Sequence, residues 1–267
     1  MASYPKSIFI TGANSGIGLG FVKHVLEQGK GTTEHVWATH RRPLGDEATR
    51  ELEQLAKDNS DRLHLIRMDV RQQDTIRAAV EEVEKVVGAD GLNVLVSNSG
   101  VAVYQFSLQE ITAETLTNHV QVNTIGAFLV LKEFHGLLKR AAEASKEQPL
   151  GWKRSAVLYT SSIMGSLTES SGDGQFAVQR NPLFRTYSYR ASKAALNMLA
   201  HSMAPELADD GIGTLLMHPG WVQTNLGGDQ APLTVEDSVS GLVRIAQALD
   251  TTTNGKHLSY DGEVLAW

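Results

Sequence analysis

The sequence predicts a doubly wound α/β domain, with seven strands in a mainly parallel sheet and helices on both faces. Three observations predict it. Short aliphatic or β-branched runs alternate with longer stretches of helical period along the whole 267-residue chain. A glycine-rich turn joins the first such run directly to the first helical stretch. The two longest aperiodic stretches, 162–186 and 222–233, both follow strand carboxyl ends, where open α/β sheets bind ligands.

The elements follow in order. Strand Ser7–Thr11 precedes a helix over Gly16–Gln28 that stops at Gly29, and strand His35–Thr39 precedes a helix over Asp46–Asn59. Strand Leu63–Met68 leads to a helix over Asp74–Gly88, and strand Leu92–Ser97 to a long helical period over Ala113–Ala144. Strand Ala156–Thr160 is followed, after a long loop, by helix Tyr189–Asp209. Strand Gly213–Met217, helix Val235–Leu249 and strand Lys256–Ser259 complete the set. Repeats, linkers and composition breaks are all lacking, so residues 1–267 read as one domain.

Composition narrows the chemistry. With 42% apolar residues, 24 glycines and 7 prolines the chain is neither disordered nor fibrous. The absence of cysteine removes disulfides, thiolate catalysis, iron–sulfur clusters and cysteine zinc sites, and the nine histidines form no metal-like pair, so no metal site is expected. A net charge of −6 without a basic run argues against nucleic acid as a partner. The longest apolar run, Ala127–Leu131, is far short of a membrane span. Residues 1–6 lead straight into the first strand without a signal-peptide core, so the expected location is cytoplasmic.

Three constellations carry the chemistry. The turn Thr11-Gly12-Ala13-Asn14-Ser15-Gly16-Ile17-Gly18 opens a βαβ unit and presents a helix N-terminus to a pyrophosphate, in the manner of a Rossmann dinucleotide site. After the second strand, Arg41 and Arg42 stand where a carboxylate would read a free ribose; the guanidiniums favour a phosphorylated dinucleotide, the alternative being two solvated surface arginines. Tyr189 and Lys193, four residues apart on one helix face, pair a phenol with an ammonium that favours its ionised form. Upstream, Ser161 and Ser162 end a strand with adjacent hydroxyls, and Asn98 and Asn123 stand at other ligand-facing positions.

Thr11-Gly12-(x)3-Gly16-x-Gly18, Asp69-Val70, Ser97-Asn98-Ser99-Gly100, Asn123, Ser162, Tyr189-(x)3-Lys193 and Pro219-Gly220-(x)3-Thr224 occur in the order of the short-chain dehydrogenase/reductase family. The resemblance covers nearly the whole chain. Within the family the chain looks most like the C-factor and sniffer-type carbonyl reductases, through Pro219–Gly228, the ending Tyr260–Trp267 and the long Ser162-to-Tyr189 interval.

The resemblance implies an NADP-dependent oxidoreductase that reduces a small-molecule carbonyl (aldehyde, ketone or quinone) to an alcohol, or the reverse. Tyr189 would exchange the proton, Lys193 would bind the nicotinamide ribose and lower the phenol's pKa, Ser162 would orient the substrate oxygen, and Asn123 would hold a relay water. Thr224 would contact the carboxamide, Asp69 the adenine, and Asn98 would line the cleft. Gly12, Asn14, Ser15, Gly16, Ile17, Gly18, Arg41, Val70, Gly100, Pro219, Gly220 and Val222 complete the implied cofactor site. Ser97 and Ser99 depart from the family's usual Asn-Asn-Ala-Gly, and Ser162 is chosen over Ser161 for its place before Ile163-Met164-Gly165.

A dinucleotide-binding sensor with little turnover is the alternative function. Assembly stays open between monomer and homo-oligomer. In the Ser162-to-Tyr189 interval, the polar Glu169–Gly174 is expected to be mobile without ligand, and Phe176, Val178, Leu183 and Phe184 to close over the substrate. The alternative there is a surface insertion packed away from the site.

Overall fold

The computed structural model describes residues 4–105, 107–171, 177 and 185–267. Its strands are β1 (Ser7–Ile10), β2 (His35–His40), β3 (Leu63–Arg67), β4 (Val94–Ser97), β5 (Ala156–Thr160), β6 (Gly213–His218) and β7 (His257–Ser259). All pair in parallel, in the order β3-β2-β1-β4-β5-β6-β7. The seven predicted strands are therefore all present. Six of them, all but β3, are buried nearly end to end, as strands of a parallel sheet covered on both faces must be.

Among the described residues the helices are α1 (Gly16–Gln28), α2 (Arg50–Asp58), α3 (Gln73–Val87), α4 (Ala113–Val120), α5 (Ala127–Ala144), α6 (Leu167–Ser170), α7 (Tyr187–Asp209) and α8 (Val235–Gln247). One face of the sheet packs Ile8, Ile10, Val94 and Leu158 against Phe21 and Val22 of α1 and Leu242 of α8. The other packs Phe9, Leu95 and Val157 against Ile76 of α3, Phe134 of α5 and Leu196 of α7.

The long helical period over 113–144 is interrupted. Residues Gln121–Gly126 form a π-type turn between α4 and α5, a feature common at functional sites. A side chain at Gly126 would meet Val70 at 2.8 Å, so a glycine lets this turn lie against the end of β3. The predicted helix over 46–59 begins as a single 3₁₀ turn, with the Asp46 carboxylate accepting from the Ala48 N–H at 2.9 Å.

Candidate active site

Strand order reverses between β1 and β4, which opens a cleft at their carboxyl ends. Thr11 closes β1, and its hydroxyl accepts the N–H groups of Asn98 and Ser99, both at 2.9 Å. The Asn98 amide donates back to the carbonyls of Thr11 at 3.0 Å and Gly12 at 3.2 Å. Thr39 of β2 accepts from the Gly12 N–H at 3.0 Å through its hydroxyl and from the Ala13 N–H at 2.8 Å through its carbonyl. The glycine-rich turn is thus held from both neighbouring strands. Gly12 and Gly16 take φ of 63° and 53°, a region that glycine enters without strain. A Cβ at Gly18 would lie 2.3 Å from the Gly12 carbonyl, so that glycine serves packing and does not line the cleft.

The turn forms one end of a cavity of about 700 Å³, a size typical of a small-molecule or cofactor site. Gly12, Asn14, Ser15, Gly16 and Ile17 line it there, and Arg41, Asp69 and Val70 line it beyond β2 and β3. Asn98 and Gly100 enter from β4, Ser162, Tyr189 and Lys193 from β5 and α7, and Pro219, Gly220, Val222 and Thr224 from β6.

The cavity's features fit a dinucleotide phosphate. No side chain caps the first N–H groups of α1 and its first turn holds no acid, leaving the positive helix end open to a diphosphate. A Cβ at Gly16 would come within 3.2 Å of Thr224, so the cradle needs the bare backbone. Arg41 lines the wall, whereas Arg42 is absent from it and pairs with Asp46 at 3.2 Å. Both carboxylate oxygens of Asp69 accept from the Arg71 guanidinium, at 3.0 and 2.6 Å. These hydrogen bonds from Arg71, with the charge of Arg41, hold its carboxyl below the usual range.

The two serines after β5 separate. Ser161 donates to the Asn197 side-chain oxygen inside the core. Ser162 caps the short turn Ile163–Gly165, accepting from the Met164 N–H at 3.1 Å, and its hydroxyl neighbours the Tyr189 phenol on the cavity wall, where it acts to lower that phenol's pKa.

The expected lowering of the Tyr189 phenol is not found. Burial pushes it up to about 12, partly opposed by the Ser162 hydroxyl. The geometry explains it: the Lys193 ammonium donates to the Thr160 carbonyl at 2.7 Å and lies 5.7 Å from the Tyr189 ring centroid. Burial also pushes Lys193 down to about 8. His218, in the wall after β6, is driven down to about 3 by burial and is neutral near pH 7.

Asn123 lies in the π-type turn, behind the cavity wall. Its Oδ1 accepts from the Val101 N–H at 2.8 Å, and its Nδ2 donates to the Val101 carbonyl and the Ser192 hydroxyl, both at 2.9 Å. The carboxamide therefore braces the loop after β4 against α7. Ser192, which also donates to the Tyr189 carbonyl at 2.7 Å, escaped the sequence reading although it lies between Tyr189 and Lys193. Thr39 and Arg190, whose Nη1 donates to the Met164 carbonyl at 3.4 Å, escaped it too. A partner distant in sequence leaves no local pattern.

The polar stretch expected to be mobile begins in ordered structure: Glu169 and Ser170 belong to α6, with the Ser166 hydroxyl accepting from the Glu169 N–H at 3.0 Å. Residues 172–174, Phe176, Val178, Leu183 and Phe184 lie outside the described residues.

A nucleotide-cradling turn and a Ser–Tyr–Lys cluster at the carboxyl edge of a parallel sheet define a dinucleotide-dependent class of protein. The chain belongs to the short chain dehydrogenase family, whose profile matches residues 6–146 and 176–232. It is similar to the carbonyl reductase Sniffer of D. melanogaster, at 36% identity and TM-score 0.89 over 99% of this chain and 100% of that one. It is similar to an NADPH-bound carbonyl reductase from chicken fatty liver, at 33% identity and TM-score 0.89 over 99% of this chain and 100% of that one. C-signal of Myxococcus xanthus is 31% identical over 176 residues, covering 66% of this chain and 93% of that relative. No helix among the described residues is long and apolar enough to cross a membrane.

Proposed function

We propose that this protein is an NADP(H)-dependent reductase of small-molecule carbonyls. The observation that carries the reading is that Ser162, Tyr189 and Lys193 share the wall of one cavity whose far end is the glycine-rich cradle. The cradle and α1 would hold the diphosphate, Arg41 the 2′-phosphate, and Lys193 the nicotinamide ribose. Bound NADPH supplies the hydride.

With its pKa pushed up to about 12, Tyr189 carries its proton throughout the neutral range, as a donor to a carbonyl oxygen must. Ser162 gives that oxygen a second hydrogen bond, stabilising the charge that develops as the carbon accepts hydride. The product is the alcohol, its O–H proton taken from Tyr189. Lys193, charged below about pH 8, faces the Tyr189 ring and favours the phenolate left behind. Asn123 enters through the brace it makes with Val101 and Ser192, which fixes the loop after β4 relative to Tyr189. The reading is further supported by the NADPH that the chicken carbonyl reductase holds.

The test is oxidation of NADPH with aldehydes, ketones and quinones. Turnover with at least one class is expected. Tight NADPH binding without turnover on any of them would instead favour the sensor.

A further inference from the structure

Two loops meet above the Ser162 site through one hydrogen bond. Tyr104, in the loop after β4, donates its phenolic proton to the Leu226 carbonyl, in the loop after β6, at 2.6 Å across 122 residues of sequence. The sheet order places β5 between β4 and β6, so this bond bridges the carboxyl end of the strand that leads to Ser162. Both residues line the cavity, and both are partly exposed, Tyr104 at 47% and Leu226 at 40%, which puts the bridge at the cavity's mouth. Tyr104 is also near enough that its charge would raise the Tyr189 pKa.

Each abutment is held by further hydrogen bonds. On the β4 side, Asn123 holds Val101, and the Val103 N–H donates to buried His119 at 3.0 Å. On the β6 side, the Gly227 N–H donates to the Thr224 hydroxyl at 3.0 Å, and the Trp221 indole donates to the Gly227 carbonyl at 2.7 Å. A Cβ at Gly227 would lie 2.1 Å from the Val222 carbonyl, so the turn presenting Leu226 has little room to deform.

We infer that Tyr104 is a specificity-determining residue, a strap that limits the bulk a carbonyl substrate carries past the 222–228 turn to reach Ser162 and Tyr189. The inference rests on the carbonyl-reductase reading. A compact aldehyde reaches the hydroxyl pair with the strap closed, whereas a long rigid one requires the Tyr104–Leu226 bond to open.

Two measurements test this on the full chain, using Tyr104→Phe, which removes the hydroxyl and with it the bond to Leu226, and Tyr104→Ala, which also deletes the ring. Tyr104 is half exposed, so neither change empties the core. In the ligand-free protein, amide hydrogen exchange over residues 222–231 should rise about threefold or more in Tyr104→Phe. With NADPH, the ratio of kcat/KM for 4-phenylbenzaldehyde to that for benzaldehyde should rise about threefold in Tyr104→Phe and about tenfold in Tyr104→Ala. Unchanged exchange in Tyr104→Phe, or an unchanged ratio in both variants, overturns the strap while leaving the reductase reading intact. A wild-type protein that reduces neither aldehyde nor any other carbonyl overturns both.

Discussion

Ser161 and Ser162 are consecutive and both line the cavity, yet their hydroxyls take different partners: Ser161 donates to the buried Asn197 of α7, and Ser162 accepts from the Met164 N–H. Ser161→Ala strands a buried amide oxygen and should cost about 1–3 kcal/mol of stability with kcat nearly unchanged. Ser162→Ala should cost about 0.5–2 kcal/mol through the lost cap on Met164 and lower kcat about a hundredfold. Equal kinetic damage from both would refute the division.

Tyr189→Phe removes the proton donor and little volume. NADPH affinity, followed by fluorescence titration, should stay within about threefold of wild type while turnover falls by a factor of about 100 or more.

Lys193 gives a pH signature in stability. Its folded pKa is about 8 against 10.5 for the free side chain. Below about pH 8 both states hold the proton, and burial of the charge opposes folding in full. Between about 8 and 10.5 the unfolded chain binds more protons than the folded one, so this group's contribution to stability rises with pH, by about 1 kcal/mol per unit. Urea unfolding of wild type and Lys193→Met at pH 7, 8 and 9 should show the variant's advantage shrinking as pH increases. A constant difference would contradict the assignment. Turnover should be lost in the variant at every pH.

Arg41 lines the cavity and Arg42 is held by Asp46. Arg41→Ala should therefore reduce the preference for NADPH over NADH, expressed as the ratio of kcat/KM, by about ten- to a hundredfold. Arg42→Ala should change it less than about threefold.

Gly18→Ala would set a methyl 2.3 Å from the Gly12 carbonyl and 2.6 Å from the Asn98 amide. Overpacking of this kind costs about 1–3 kcal/mol. A drop in thermal midpoint together with weakened NADPH binding is the expected pair of results, since the displaced atoms belong to the bonds that shape the cradle.

The sequence by itself determined the seven strands, their parallel sense and the ends at which function gathers, because buried strands and amphipathic helices each impose a period on residues close in the chain. It also singled out the glycine-rich turn, Arg41, Tyr189 and Lys193 on the cavity wall, since turns and a Tyr-x-x-x-Lys spacing are local patterns, while the family resemblance added Asp69, Val70, Pro219, Gly220, Val222 and Thr224. Only the tertiary structure decided the rest. The direction of the Tyr189 shift depends on how deeply the packed helix is buried, and the contribution of Asn123 on Val101 and Ser192 meeting it across the π-type turn. The Arg71 hold on Asp69 is local in sequence, but a two-residue spacing has no single geometry until the backbone after β3 is fixed. The Tyr104 strap joins residues 122 positions apart that become neighbours only when β4, β5 and β6 lie side by side. Periodicity reports which face of an element is buried; it contains no information about which side chain from a distant loop arrives to meet it.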